Sequence, residues 1–339
     1  MSLPATFKQA VFRSAGSPLV IEESPLTPPG DRQLLVKVEA CGVCSSDRWA
    51  QNNVMGGGFP IVPGHEIIGR VAGLGNGVSN WKVGDRVGGG WHGGHDGTCR
   101  ACDKGFFQMC SSGQVNGETK NGGYAEYCLL NVEAAVRVPE HVSAAKYAPI
   151  LCAGVTVFNS LRHMNIMPGE IVAVQGLGGL GHLAIQYARK MGYRVVAISR
   201  DSKKEKMVRE LGAHEYIDES QVNVSEELQR LGGASLVMST APNAAIISPL
   251  LKGLGVLGKL LILSVPGPVP VDTSIMVNKG LSVQVWPSGH ATDSEDAIAF
   301  TELKDINCMV EEFALDKANE AYDAMVKGKV RFRAVLTME

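Results

Sequence analysis

The sequence predicts an α/β chain in two domains, one built on a doubly wound parallel sheet and the other rich in β-strands. Three observations carry this reading. At 339 residues the chain exceeds the comfortable size of a single hydrophobic core. From about residue 150, short apolar runs alternate with segments of helical periodicity, the rhythm of parallel strands with crossover helices. Before that point, glycine and turn residues punctuate short strand-like runs, and no fixed-period repeat or low-complexity tract interrupts them.

Residues 7–40 read as strands and turns: Pro28-Pro29-Gly30-Asp31 marks a turn, and Leu34-Leu35-Val36-Lys37-Val38-Glu39 partly alternates after it. Glycine is dense from Gly56 to Gly123, with Gly84-Asp85-Arg86-Val87 entering a strand. Ile171-Val172-Ala173-Val174 is a short apolar run of the kind a fully buried parallel strand requires. Leu180, Leu183, Ala184, Tyr187, Ala188 and Met191 then recur at helical spacing until Gly192, and Val195-Val196-Ala197-Ile198 forms a second strand. Further strands are expected at 235–238, 260–263 and 281–285. Beyond Trp286, helices are expected at 294–303 and 315–327 and a strand at 331–336, with this tail returning to the first domain.

Composition excludes several function classes. Lysine and arginine number 32 against 34 acids, so the formal net charge of −2 gives no basic surface for nucleic acid or an anionic membrane. No apolar run approaches the roughly 20 residues of a membrane-spanning helix. The segment Met1-Ser2-Leu3-Pro4-Ala5-Thr6-Phe7-Lys8 has no apolar core of a secretory signal. Eight cysteines without such a signal point to thiols held by metal or packing in a reducing compartment, and hence to a cytoplasmic protein.

Three stretches carry chemistry. Cys44-Ser45-Ser46-Asp47 and Pro63-Gly64-His65-Glu66 set a thiol, an imidazole and two carboxylates close in sequence, a donor mixture that suits zinc. A catalytic zinc takes three protein ligands and keeps an open position, so a further ligand is expected elsewhere in the chain. Cys99, Cys102 and Cys110 form a second cluster, a C-x2-C pair with a third thiol. Asp96 extends the spacing as a fourth donor, with His92 and His95 as alternatives. Finally, Gly176-Leu177-Gly178-Gly179-Leu180-Gly181 lies between a strand and an amphipathic helix, the setting in which this glycine pattern binds a dinucleotide. Gly176 permits the tight turn, Gly178 lets the pyrophosphate approach the backbone, and Gly181 lets helix and strand pack. The helix N-terminus then offers free N–H groups to the phosphates. At the end of the second strand, Ser199 stands where an NAD site usually has an acid, Arg200 follows, and Lys203 and Lys204 are nearby. A guanidinium suits the extra 2′-phosphate, so NADP(H) is expected over NAD(H).

These motifs run in order over essentially the whole chain, and with them the sequence resembles the zinc-dependent medium-chain alcohol dehydrogenases, in the branch of yeast-type and cinnamyl alcohol dehydrogenases. The resemblance is carried by Gly42-Val43-Cys44-Ser45-Ser46-Asp47, Gly64-His65-Glu66, the lobe from Asp96 to Cys110, Cys152-Ala153-Gly154-Val155-Thr156 and Gly176–Gly181. It implies a GroES-like catalytic domain over 1–151 and 286–339 and a Rossmann-type domain over 152–285, with the active site in the cleft between them. It makes Cys44, His65 and Cys152 ligands of a catalytic zinc, with Glu66 able to swing onto the metal, and Asp96, Cys99, Cys102 and Cys110 ligands of a structural one. Asp47 orients a ligand, Ser46 passes the substrate proton, Thr156 packs near the nicotinamide and Arg333 reaches the pyrophosphate. Cys41, Cys128 and Cys308 match no ligand position and are expected to pack.

Two positions depart from the family pattern: Trp49 replaces a relay histidine, and Trp286-Pro287-Ser288-Gly289 replaces a Gly-Ser-containing turn. The implied reaction is hydride transfer between NADP(H) and a small-molecule alcohol, aldehyde or ketone, in a homodimer or homotetramer. A reductase of conjugated C=C or C=N bonds on the same fold, or a non-catalytic nucleotide-binding relative, are the alternatives.

Overall fold

The computed structural model describes residues 3–338, and by contact density these divide into two units. The first runs to Val155 and takes up Ser288–Leu303 and the chain from Cys308; the second comprises Thr156–Pro287 and Lys304–Asn307. The division thus falls after Val155 rather than after residue 151. Cys152 belongs with the first unit because its thiol lies against that of Cys44, 3.8 Å away. Residues 304–307 count with the second unit because Asn307 exchanges two hydrogen bonds with the Gln186 side chain, at 2.9 and 3.0 Å.

The first unit is organised on the long strand Gln33–Val43. Its sheet runs in the order Val310–Ala314, Arg333–Thr337, Gln33–Val43, Ile67–Leu74, Arg86–Gly89, Ala135–Arg137, with Tyr127–Asn131 also paired to the long strand. Thr6–Phe12 and Leu19–Pro25 form a separate antiparallel pair. The apolar residues of these strands, among them Phe12, Leu34, Val36, Ile67 and Leu336, are fully buried in one core with Tyr124. Register decides what comes together at the strand ends. Cys41 pairs with Ile67 and Val43 with Ala334, both antiparallel, so the residues just beyond Val43, just before Ile67 and at Arg333 meet at one edge of the sheet.

The second unit is a parallel sheet of six strands, in the order Glu215–Asp218, Arg194–Ser199, Ile171–Gln175, Ala234–Ser239, Leu254–Ile262, Ser282–Val285. Numbered along the chain this order is 3-2-1-4-5-6, the doubly wound arrangement of dinucleotide-binding folds. All five residues of Ile171–Gln175 are buried, which explains its unbroken apolar sequence: helices cover both faces of a parallel sheet. The helix Gly181–Lys190 follows directly, ending before Gly192, which takes φ +93°.

Differences from the expected elements lie mainly at boundaries. The strand expected from residue 260 begins at Leu254, and the helix expected from residue 315 opens with a 3-10 turn at Leu315–Lys317 before Ala318–Val326. Glu215–Asp218 was not anticipated; it is an edge strand in which only Ile217 is buried, so its sequence lacks the apolar run of its neighbours. Among the described residues no helix is long and apolar enough to cross a membrane.

Candidate metal centres and nucleotide loop

The meeting of strand ends in the first unit produces a buried donor set. Cys44 follows Gln33–Val43, His65 and Glu66 precede Ile67–Leu74, and Cys152 sits between the 3-10 turn Ala148–Leu151 and the helix Ala153–His163. One donor atom from each of Cys44, His65, Glu66 and Cys152 falls within 4.8 Å of all the others. Two thiolates on a tetrahedral zinc, with Zn–S bonds of about 2.3 Å, stand about 3.8 Å apart; the Cys44 and Cys152 sulfurs are 3.8 Å apart and unbridged. His65 Nε2 and Glu66 Oε2 are buried without hydrogen-bond partners, a costly state for polar atoms unless a cation takes them up. The residues present therefore fit a zinc ion.

Surrounding groups fix these donors. Asp47, fully buried, accepts from the Cys44 backbone N–H at 2.8 Å and from the Tyr124 hydroxyl at 2.7 Å through Oδ2. Its Oδ1 lies 3.2 Å from His65 Nδ1, which leaves Nε2 as the nitrogen free to ligate. The Cys152 thiol beside it, against burial, holds the Cys44 thiol well below its usual range. Burial pushes the Glu66 carboxyl up to about 7 against the pull of Arg333, with which it forms a buried ion pair. The Ser46 hydroxyl is 3.7 Å from Cys44 Sγ.

The walls around this cluster include residues that sequence reasoning passed over. The Trp91 ring stands edge-on to His65 at 4.8 Å and to Trp49 at 5.6 Å. Glu118 is buried and electrostatically close to Asp47, His65 and Cys44. A lone glutamate in an Asn-Gly-Glu-Thr turn gives no sequence signal of burial, and a lone tryptophan gives none of function.

The second donor set lies on a surface lobe. One donor atom from each of Asp96, Cys99, Cys102 and Cys110 again falls within 4.8 Å of the others. Cys99 and Cys102 sulfurs are 3.7 Å apart, and Asp96 Oδ1 is 3.4 Å from Cys110 Sγ. The Thr98 backbone N–H, then the Ser112 hydroxyl, hold the Asp96 carboxyl well below the usual range. The Cys102 N–H, with Ser111, draws the Cys99 thiol down to about 6, while burial pushes Cys102 up to about 11. Three thiols and an ionised carboxylate fit zinc as well. His92 and His95 stand outside this set, stacked on each other with ring centroids 5.1 Å apart.

In the second unit the glycines serve three different needs. Gly176 has φ +91°, and a Cβ there would come within 2.7 Å of Thr240 Oγ1. A Cβ on Gly178 would meet nothing within 4 Å, so the exposed backbone is open to a ligand at that point. A Cβ on Gly181 would fall 1.9 Å from the Gly176 carbonyl oxygen. Gly179 and Leu180 lead half-buried into the helix. This backbone fits a pyrophosphate. Ser199 ends the second strand half-buried, Arg200 is exposed beside it, and Lys204 Nζ donates to the Leu177 carbonyl at 2.9 Å. Thr156 is half-buried on the helix Ala153–His163. Cys128 and Cys308 are buried, with burial pushing both thiols up to about 12, and Cys41 is wholly enclosed.

Comparison with known proteins agrees with this architecture. Residues 30–140 match the family model of the alcohol dehydrogenase GroES-like domain, and residues 179–302 that of the zinc-binding dehydrogenase. The chain is 67% identical over 335 residues to alcohol dehydrogenase patD of Penicillium expansum, covering 99% of this chain and 98% of that protein. It is 60% identical to alcohol dehydrogenase notN of an Aspergillus species over the full length of both. Among solved structures, a cinnamyl alcohol dehydrogenase of Sorghum bicolor superposes with a TM-score of 0.87 at 28% identity, covering 98% of this chain and 97% of that one. The chain is an oxidoreductase acting on alcohols and belongs to the zinc-type medium-chain alcohol dehydrogenase family.

Proposed function

We propose that the chain transfers a hydride between NADP(H) and a primary or secondary alcohol, aldehyde or ketone, with a zinc ion held by Cys44, His65 and Cys152. The observation that carries this reading is the convergence of those donors with Glu66 within 4.8 Å, in a buried site where His65 Nε2 has no other partner. When bound there, zinc supplies Lewis acidity towards the substrate oxygen. The chain's own groups do the rest. Asp47 orients His65, the Ser46 hydroxyl beside Cys44 takes the substrate proton in oxidation and returns it in reduction, and Arg333, which the resemblance assigns to the cofactor pyrophosphate, is paired with Glu66 in this structure. The glycine loop seats the pyrophosphate, and Thr156 packs against the nicotinamide. Ser199 in place of an acid, with exposed Arg200 and nearby Lys204, supports NADP(H) over NAD(H). The lobe of Asp96, Cys99, Cys102 and Cys110 holds a second, structural zinc. By family likeness the chain works as a homodimer or homotetramer, and its eight unbridged thiols suit a reducing compartment such as the cytoplasm.

The test is turnover of aldehydes, ketones, alcohols and conjugated enals with both cofactors, in zinc-replete wild type and in Cys152→Ser. The variant is expected to lose the buried zinc and at least a hundredfold in carbonyl and alcohol turnover. Normal turnover from a verified zinc-free variant, or turnover of the enals alone, contradicts the reading. A wild-type preference for NADH contradicts the role given to Ser199 and Arg200.

A further inference from the structure

The acids of the buried donor set each face a cationic or ligating group, although Asp47 Oδ1 and Glu66 Oε2 make no hydrogen bond. Asp47 Oδ2 is taken by Cys44 and Tyr124, and Asp47 Oδ1 faces His65. Glu66 is paired with Arg333 and belongs to the donor set itself. A third acid, Glu118, lies outside these pairs. Glu118 is 3% exposed, its Oε1 is buried with no hydrogen-bond partner, and it is not among the converging donors.

The loop that carries Glu118 is anchored on both sides of His65. Asn116 donates through Nδ2 to the Gly90 carbonyl at 2.8 Å and through its backbone N–H to that of Trp91 at 3.3 Å. Trp91 is the residue whose ring stands against His65. Gly117, at φ +76°, packs so closely on the turn before His65 that a Cβ would come within 2.5 Å of the Gly64 nitrogen. The Glu118 carboxyl then faces the short helix Asp47–Asn52, where the Ala50 N–H draws on it. It therefore lies against the helix that follows Ser46, within electrostatic reach of Asp47, His65 and Cys44.

Packing alone gives no reason for an acid here. Burial, then the charge of Asp47, pushes its carboxyl up to about 8, so the site is costly for a carboxylate and an apolar side chain would sit there more cheaply. A protonated carboxyl still offers an acceptor oxygen, so the recognition argued below does not depend on its charge state. A buried acceptor without a partner penalises any ligand that leaves it unpaired and favours one that supplies a donor.

We propose that Glu118 is a specificity-determining residue whose unpartnered carboxyl oxygen receives a second hydroxyl of the substrate, so that diols and hydroxy-aldehydes are preferred over apolar alcohols of the same shape. This deepens the alcohol-oxidising reading given above and rests on it. The test compares 1,2-benzenedimethanol with 2-methylbenzyl alcohol, and butane-1,4-diol with pentan-1-ol, in zinc-replete wild type, Glu118→Gln and Glu118→Leu. After correction for two equivalent hydroxyls, wild type is expected to favour each diol by about tenfold in kcat/KM, chiefly through KM. Glu118→Gln, which keeps an acceptor oxygen, should retain most of that ratio, and Glu118→Leu should bring it towards one. Equal wild-type values for the paired substrates overturn the proposal without any variant. An equal loss on both members of each pair in a folded, zinc-loaded Glu118→Leu also overturns it, since a merely structural role would act that way. Wild type that oxidises neither member of either pair refutes the alcohol reading itself and the proposal with it.

Discussion

Trp49, which stands where the family resemblance leads one to expect a relay histidine, is edge-on to Trp91, and Trp91 is edge-on to His65. Indole has an N–H donor and no acceptor, and could not receive the proton that, on the proposed reading, Ser46 takes from an alcohol. On that reading the proton would leave wild type through water or a ribose hydroxyl, and oxidation should show no rate-controlling ionisation near the ordinary histidine range. Trp49→His restores an acceptor. Only its neutral form can take a proton, so oxidation by the variant should rise with pH through about 6.5 and level off above it. Carbonyl reduction, which needs the protonated form, should fall through the same range. The check is kcat against pH in both directions; profiles identical to wild type in both would remove Ser46 and position 49 from the proton path. At this scale the sequence was most informative where spacing is chemistry. Cys44, His65 and the Asp96–Cys110 lobe could be singled out because chelation restricts which residue types stand close together. Glu118 and Trp91 could not, because their importance comes from what the fold packs against them.

The elements that carry donors are short, and what positions them is the register of the strands behind them. Cys44, His65–Glu66 and Arg333 are far apart in sequence, yet the pairings of Cys41 with Ile67 and of Val43 with Ala334 bring them to one edge. The lobe has no such support. Its only regular pieces are the one-turn helix Arg100–Asp103 and the 3-10 turn Phe107–Met109, and Asp96 is exposed. So small an element cannot bury enough apolar surface to hold its own shape, and a bound metal would supply the missing constraint. Asp96→Ala should therefore lower zinc from two per chain towards one and reduce the melting temperature, by roughly 2–4 °C for each kcal/mol lost in a unit of this size. The ratio of turnover among substrates should stay unchanged. Metal analysis with a melting curve decides it, and one zinc per chain in carefully prepared wild type would count against a filled lobe. Strand legibility followed burial in the same physical sense. Ile171–Gln175, Arg194–Ser199 and Ala234–Ser239 stand in the interior of the parallel sheet and read as apolar runs, whereas Glu215–Asp218 lies at its edge, half solvated, and shows no such run.

Over the whole molecule, both donor sets belong to one unit and the glycine loop to the other. Each unit has a hydrophobic core of its own: one around Phe12, Leu34, Ile67 and Tyr124, the other around Ala173, Val196, Val237 and Leu260. Metal and nucleotide should then stabilise different parts of the chain. Anything that binds only the folded state stabilises it by mass action, about 2.7 kcal/mol at a hundredfold excess over Kd. On the proposed reading the increment from NADPH would fall on the parallel-sheet unit, which holds Gly176–Gly181, Ser199 and Arg200. Chelation of the proposed zinc would instead remove stabilisation from the unit that holds Cys44, His65 and Cys152, leaving buried polar atoms such as His65 Nε2 unsatisfied. Chelated protein should consequently melt in two steps under calorimetry. The lower step should be indifferent to NADPH and recover when zinc is returned. The upper step should rise by roughly 5–10 °C with NADPH at a hundredfold excess. A single transition that moves as a whole with either ligand, or loss of NADPH binding on chelation, would show instead that the two cores fold and bind as one.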